Sequence, residues 1–172
     1  MILKTFLILS FLFSIPVFAQ NNWRCIDGDC TDGNGISTDD DGIRYEGSFR
    51  GGVKSGRGKQ TEPNGNIYTG DWKNDAPNGK GTYKQSSGEK YIGSFVQGYY
   101  HGTGSLVYAN GDRYIGEFKK DKRSGYGSML YLSQRKLYVG KWSKDSPHGS
   151  GILYILSSAK SVKFDKGVQV PK

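Results

Sequence analysis

At 172 residues the chain holds about one domain's worth of sequence, and it carries a formal net charge of +8. Glycine supplies 26 residues, roughly twice the usual share of about 7%. That disfavours a helical protein, because each glycine weakens a helix interior by about 1 kcal/mol. Twelve tyrosines and eight phenylalanines spread along the chain exclude a disordered composition.

The chain opens Met1-Ile2-Leu3-Lys4 and then runs apolar from Thr5 to Phe18, broken only by Ser10, Ser14 and Pro16. One positive charge, a short apolar core and Val17-Phe18-Ala19 predict a signal peptide over 1–19, cut after Ala19 to leave Gln20 first. The run is too short and too broken for a membrane anchor, which needs about 20 apolar residues. Cys25, the first cysteine, lies too far on for lipid attachment. The expectation is an exported protein, periplasmic or secreted.

Residues 20–44 read as an N-terminal cap with six acidic and two basic groups. Cys25 and Cys30 enclose Ile26-Asp27-Gly28-Asp29, and Asp-Gly is turn chemistry, so a short hairpin closed by a Cys25–Cys30 disulfide is expected. So small a ring contributes roughly 2 kcal/mol. A metal site would need further Cys or His nearby, and none is present. The carboxylates of Asp27, Asp29, Asp32 and Asp39-Asp40-Asp41 lack calcium-loop spacing. Asp32 stands where the loop glycine belongs and Thr38 where its last acid belongs.

From Tyr45 onward the chain repeats. Tyr45, Tyr68, Tyr91 and Tyr114 are 23 residues apart, and Tyr138 follows after 24. Two residues after each comes Gly47, Gly70, Gly93, Gly116 or Gly140, and four after each a second aromatic: Phe49, Trp72, Phe95, Phe118 or Trp142. A G-x-G pair closes every unit, from Gly56/Gly58 to Gly149/Gly151. Residues at i, i+2 and i+4 share one face of a strand, so each unit begins with a strand whose aromatic face is interrupted by glycine. The missing side chain predicts room there for a neighbouring strand's ring. Gly52, Asp75, Gly98, Asp121 and Asp145 mark a tight turn of positive φ, and a second strand returns through G-x-G. In that strand Gly102, Gly104, Leu106 and Tyr108 are expected on one face. Asp41-Gly42, Asn64-Gly65, Ser87-Gly88 and Asn110-Gly111 predict two-residue hairpin turns between units.

Every strand then pairs with its sequence neighbour. The fold class is all-β: an elongated single-layer antiparallel meander of tandem hairpins, a twisted ribbon about 10 strands wide and roughly 50 Å long. The repeats occupy 45–157, in approximate units 45–67, 68–90, 91–113, 114–137 and 138–160. Gly33, Gly35 and Gly42 before them, and Phe164 and Gly167 in the C-terminal stretch 158–172, are fragments of the same pattern, as capping units of an array should be.

These residues resemble the MORN (membrane occupation and recognition nexus) repeat, Y-x-G-x-W/F-x-x-G-x-x-x-G-x-G. Repeat four departs, with Ser133-Gln134-Arg135 in place of the linking glycine and one extra residue before Tyr138. The resemblance implies an assembly or docking module, with affinity for acidic lipid as a weaker implication. Cys25 to Cys30 looks like the leading C-x-x-G-x-C segment of secreted bacterial members.

No cofactor, metal or catalytic residue is expected. His101 and His148 precede G-x-G, where other units carry Ser55, Asn78 and Ser124, so they read as turn positions and not as general bases. G-x-G leads into a strand here, not into the helix that a phosphate loop requires. Residues 45–172 carry 21 basic and 10 acidic groups, densest at Lys119, Lys120, Lys122 and Arg123, a candidate basic patch. The leading expectation is a non-enzymatic scaffold that docks a protein partner or forms a homodimer. Its binding surface is the aromatic face of Tyr45, Phe49, Tyr68, Trp72, Tyr91, Phe95, Tyr114, Phe118, Tyr138 and Trp142. The alternative is a cell-envelope module for anionic lipid, membrane surface or wall glycan. Nucleic acid does not fit an exported chain.

Overall fold

Each strand of the computed structural model hydrogen-bonds only to its neighbours in sequence, in one open antiparallel sheet ordered β1 to β14. The structure describes residues 23–155, 158–165 and 167–170. The predicted signal peptide and its cleavage point lie outside the described residues. β1 (Arg24–Gly28) and β2 (Asn34–Thr38) precede the repeats. Two strands per repeat follow: β3 (Arg44–Arg50) and β4 (Val53–Thr61), β5 (Ile67–Lys73) and β6 (Ala76–Lys84), β7 (Lys90–Val96) and β8 (Tyr99–Val107). β9 (Arg113–Lys119), β10 (Lys122–Tyr131), β11 (Lys136–Ser143) and β12 (Ser146–Ile155) complete them, and β13 (Ser158–Asp165) and β14 (Val168–Val170) end the sheet. The sheet is therefore wider than the ten strands expected, because the fragments at both ends add hairpins of their own.

A row of glycines crosses the sheet at right angles to the strands. Gly35 pairs with Gly47, and Gly58, Gly70, Gly81, Gly93, Gly104, Gly116, Gly127, Gly140 and Gly151 continue the row. The space above Gly47 and its counterparts is filled by the tyrosine of the same strand, not by a neighbouring strand's ring as the spacing suggested, and that ring reaches on over the facing glycine of the returning strand. A Cβ on Gly58 would meet Tyr45 ring carbons at 2.5 Å. Each tyrosine lies flat across its glycine pair and donates its hydroxyl to the carbonyl three residues on, at Ser48, Asp71, Ser94, Glu117 and Lys141. The second aromatic of its own strand and that of the next repeat both meet it edge-on. Tyr45 has Phe49 at 5.1 Å and Trp72 at 5.0 Å, and Tyr138 has Trp142 and Phe164 at 5.3 Å each. Such pairs add about 0.5–1.5 kcal/mol beyond burial. A single layer thus obtains a core by folding its rings down onto glycine.

Turns inside the repeats are as expected, with both central residues at positive φ, such as Asn74 at 49° and Asp75 at 64° between Lys73 and Ala76. Turns between repeats are not the two-residue type. Glu62 N–H donates to Asn66 and Gly65 N–H to Glu62, a three-residue loop with only the glycine left-handed. Asn64 and its counterparts set up a type I turn ahead of that glycine. In repeat four Arg135 takes the left-handed position at φ 51°. Opposite the register shift the first glycine of G-x-G is a β-bulge, Gly79 at φ 110° for example. The same bulge at Gly102 breaks the alternation that would have placed it on one face with Gly104 and Leu106.

Cys25 and Cys30 form a disulfide with Cα atoms 5.8 Å apart. The hairpin is not inside the ring, however. β1 runs through Gly28, and the chain reverses after Asp29, so the bond ties β1 to the following loop. The carboxylates there cap backbone: Asp29 accepts from Thr31 and Asp32, Asp32 from Gly51, and Asp39 from Ile43.

Candidate functional site

The ten aromatics predicted as an open face are buried, from 0% exposure at Tyr45, Tyr91 and Tyr114 to 8% at Phe49. They do share one face, but their rings pack on one another instead of facing solvent. Burial pushes the phenols of Tyr45 and Tyr91 up to about 12, with Asp75 adding to the effect at Tyr45. What the face offers is a groove of about 750 Å³ that runs from repeat one to the first turn of repeat five, within the range of about 300–1,000 Å³ usual for ligand clefts. Its floor is Trp72, Phe95 and Phe118 together with Tyr83, Tyr100 and Leu106 from the returning strands. The turns inside the repeats form one rim, with Asp75, Asp121 and Asp145, and the turns between repeats form the other, with Glu62 and Glu89. Five carboxylates and one guanidinium, Arg123, therefore line it in a chain whose net charge is +8. Five further basic groups, Arg57, Lys59, Lys80, Lys84 and Lys90, line hollows on the opposite face.

One position per repeat decides where the groove is open. The ninth residue after each repeat tyrosine is Lys54, Pro77, Tyr100, Arg123 or Pro147. Lys54 is buried, with Nζ 3.4 Å from the Trp23 ring centre, 5.0 Å from Trp72 and 5.1 Å from Tyr45, and it donates to Gln60 Oε1 at 2.8 Å. Desolvation lowers its pKa from the ordinary 10.5 to about 8, against the opposing pull of Asp75 and Asp39. Arg123 lies 4.4 Å from Trp142 and 5.7 Å from Tyr114 and pairs with Asp145. Both cations face a tryptophan of the next repeat, the best ring for the purpose, and each tryptophan donates to a track carbonyl, at Gly58 or Gly127. Where the ninth residue is Pro77, Tyr100 or Pro147, the next repeat supplies Phe95, Phe118 or Phe164 instead. Tyr100 stacks on Tyr91 at 3.7 Å. The choice between Trp and Phe, which the repeat pattern allows as W/F, is the sequence signal for this slot.

The predicted basic patch is divided. Arg123 points into the aromatic face and Lys122 pairs with Asp145 at 3.1 Å, while Lys119 and Lys120 stay exposed at the turn. His101 and His148 sit in strands β8 and β12 beside the bulge, not in turns. Among the described residues no three His, Cys, Asp or Glu groups come together as a metal cage.

A family model described as "MORN repeat" matches residues 45–67, 68–90, 91–113, 114–132 and 138–155. No curated protein matches the sequence. Among solved structures the chain is similar to the SAS-4 (dCPAP) TCP domain of Drosophila melanogaster, determined in complex with a proline-rich motif of Ana2 (dSTIL). The identity is 13%, the coverage 91% of this chain and 97% of that one, and the TM-score 0.34.

Proposed function

This chain belongs to the MORN repeat family, and we propose that it is a non-enzymatic exported scaffold that docks a segment of a protein partner in the groove of its aromatic face. The observation that carries this reading is the groove itself. Its floor of buried and half-buried rings is flanked by turns that stack repeat on repeat, Asp75 N–H on the Lys54 carbonyl and Asp121 N–H on that of Tyr100. Export is supported by the 1–19 pattern and by a disulfide, which persists in oxidising compartments. A second reading, an envelope module for anionic lipid or wall glycan, draws on the basic opposite face and on Lys119, Lys120 and Lys122.

Capture of partners from envelope extract by wild type and by a Tyr83→Ala/Tyr100→Ala variant tests the choice. Loss of the captured protein in the variant, with the Lys119→Glu/Lys120→Glu/Lys122→Glu variant still capturing it, supports groove docking. Unchanged capture by the tyrosine variant defeats it. Adsorption to phosphatidylglycerol vesicles that the lysine reversal abolishes supports the second reading.

A further inference from the structure

The chain shows how the aromatic face holds a cation, because it supplies two of its own. Lys54 and Arg123 fill the ninth-residue slot, and in each case the turn aspartate of the next repeat, Asp75 or Asp145, accepts that residue's backbone N–H. The slots at Pro77 and Pro147 have no N–H to offer, and there the next turn carries Gly98 or Gly167 instead. Tyr100 breaks the correspondence. Asp121 accepts its N–H at 2.8 Å as the other two aspartates do, yet the slot contains a phenol and no positive charge. Among the described residues Asp121 is in no ion pair, and neither are Glu62 and Glu89 on the far rim. Those two flank Tyr83, whose hydroxyl is pushed up first by burial and then by their charge.

Resting on the docking reading above, we propose that the occupant of the groove is an extended, Lys- or Arg-bearing segment of a protein partner. One cationic side chain takes the place between Tyr100 and Asp121, and others reach Glu62 and Glu89. Charge complementarity selects this occupant: an acidic segment would meet five carboxylates, and an apolar one would bury Asp121 and Glu89, which hold only neutral hydrogen-bond donors, without a countercharge. Arg57, Lys59, Lys80, Lys84 and Lys90 line hollows on the opposite face and do not compete for the site.

Nona-arginine, followed through the fluorescence of Trp72 and its neighbours, is the probe. Wild type should bind it, and nona-glutamate should not bind. The Glu62→Gln/Glu89→Gln/Asp121→Asn variant keeps an acceptor oxygen at every position. It should melt like wild type yet bind nona-arginine about tenfold more weakly, whereas Lys59→Gln/Lys84→Gln on the other face should not weaken it. Equal binding by the triple variant, absence of binding by wild type, or preference for nona-glutamate overturns the proposal. The capture experiment separates the two failures. If the tyrosine variant loses the partner and the triple variant keeps it, docking stands and the basic occupant falls. If both keep it, both fall.

Discussion

The seam between repeats one and two and the seam between repeats three and four share a backbone and differ in what fills them. In the first, Lys54 occupies the slot beneath Trp72, with Asp75 beside it. In the second, Tyr100 stacks flat on Tyr91, Phe118 replaces the tryptophan, and Asp121 stands where Asp75 does. The glycine track, the tyrosine hydroxyl bond and the turn-on-turn contact are the same in both. Closure is thus a property of one residue and its matched ring, while the sheet is a property of the repeat. An array can in this way be rigid throughout and receptive only where its own cations are missing.

The largest effect should come from what both seams share. Gly93→Val would drive its side chain into the Tyr91 hydroxyl and to within 2.7 Å of Gly104 Cα, positions held by ring and backbone alike. Chemical denaturation should show a loss of about 3 kcal/mol, the upper end of overpacking costs; a melt like that of the parent would mean the track is not a packing surface. Next in size is a change to the slot. Tyr100→Arg with Phe118→Trp installs the outer pair in the central seam. It should fill the groove and abolish partner capture while stability moves by only about 1 kcal/mol, since one buried arrangement replaces another. Retained capture would show that the slot does not control access.

Gly98→Ala is milder. Nothing lies within 4 Å of the added carbon, so only its φ of +84° resists the change, and a loss of about 1 kcal/mol is expected. Lys54→Met should be nearly neutral at pH 7, because an apolar side chain of similar length avoids desolvating a charge. Its effect appears in the pH profile. The unfolded lysine holds its proton up to the ordinary 10.5, and the folded one releases it near 8. Between those values the unfolded state binds more protons, so wild-type stability should rise with pH. The buried phenols act in the opposite sense above 10, since Tyr45 and Tyr91 stay protonated to about 12 when folded. Thermal melts from pH 7.5 to 9.5 should rise for wild type and stay flat for Lys54→Met.

The strict phase of Tyr45, Gly47 and Phe49 and of their counterparts determined the antiparallel meander, its aromatic face and the positive-φ turns at Asp75, Asp121 and Asp145. Local rules suffice for that, because alternation and turn chemistry act over a few residues. Three things depended on contacts across strands. The ring above Gly47 proved to be the strand's own Tyr45, since a flat tyrosine reaches a carbonyl only when the facing Gly58 also lacks a side chain. The link at Asn64-Gly65 became a three-residue loop once the pairing of Glu62 with Asn66 was set. And Arg123, which reads in the sequence as one of four basic neighbours at a turn, is directed inward by Asp145 and Trp142, residues about a repeat away in the chain. Strand alternation sends Arg123 to the aromatic face while Lys119 and Lys120 stay exposed at the turn. Only the neighbouring repeat decides whether such an inward cation is buried, paired or, as at Tyr100, left to be supplied from outside.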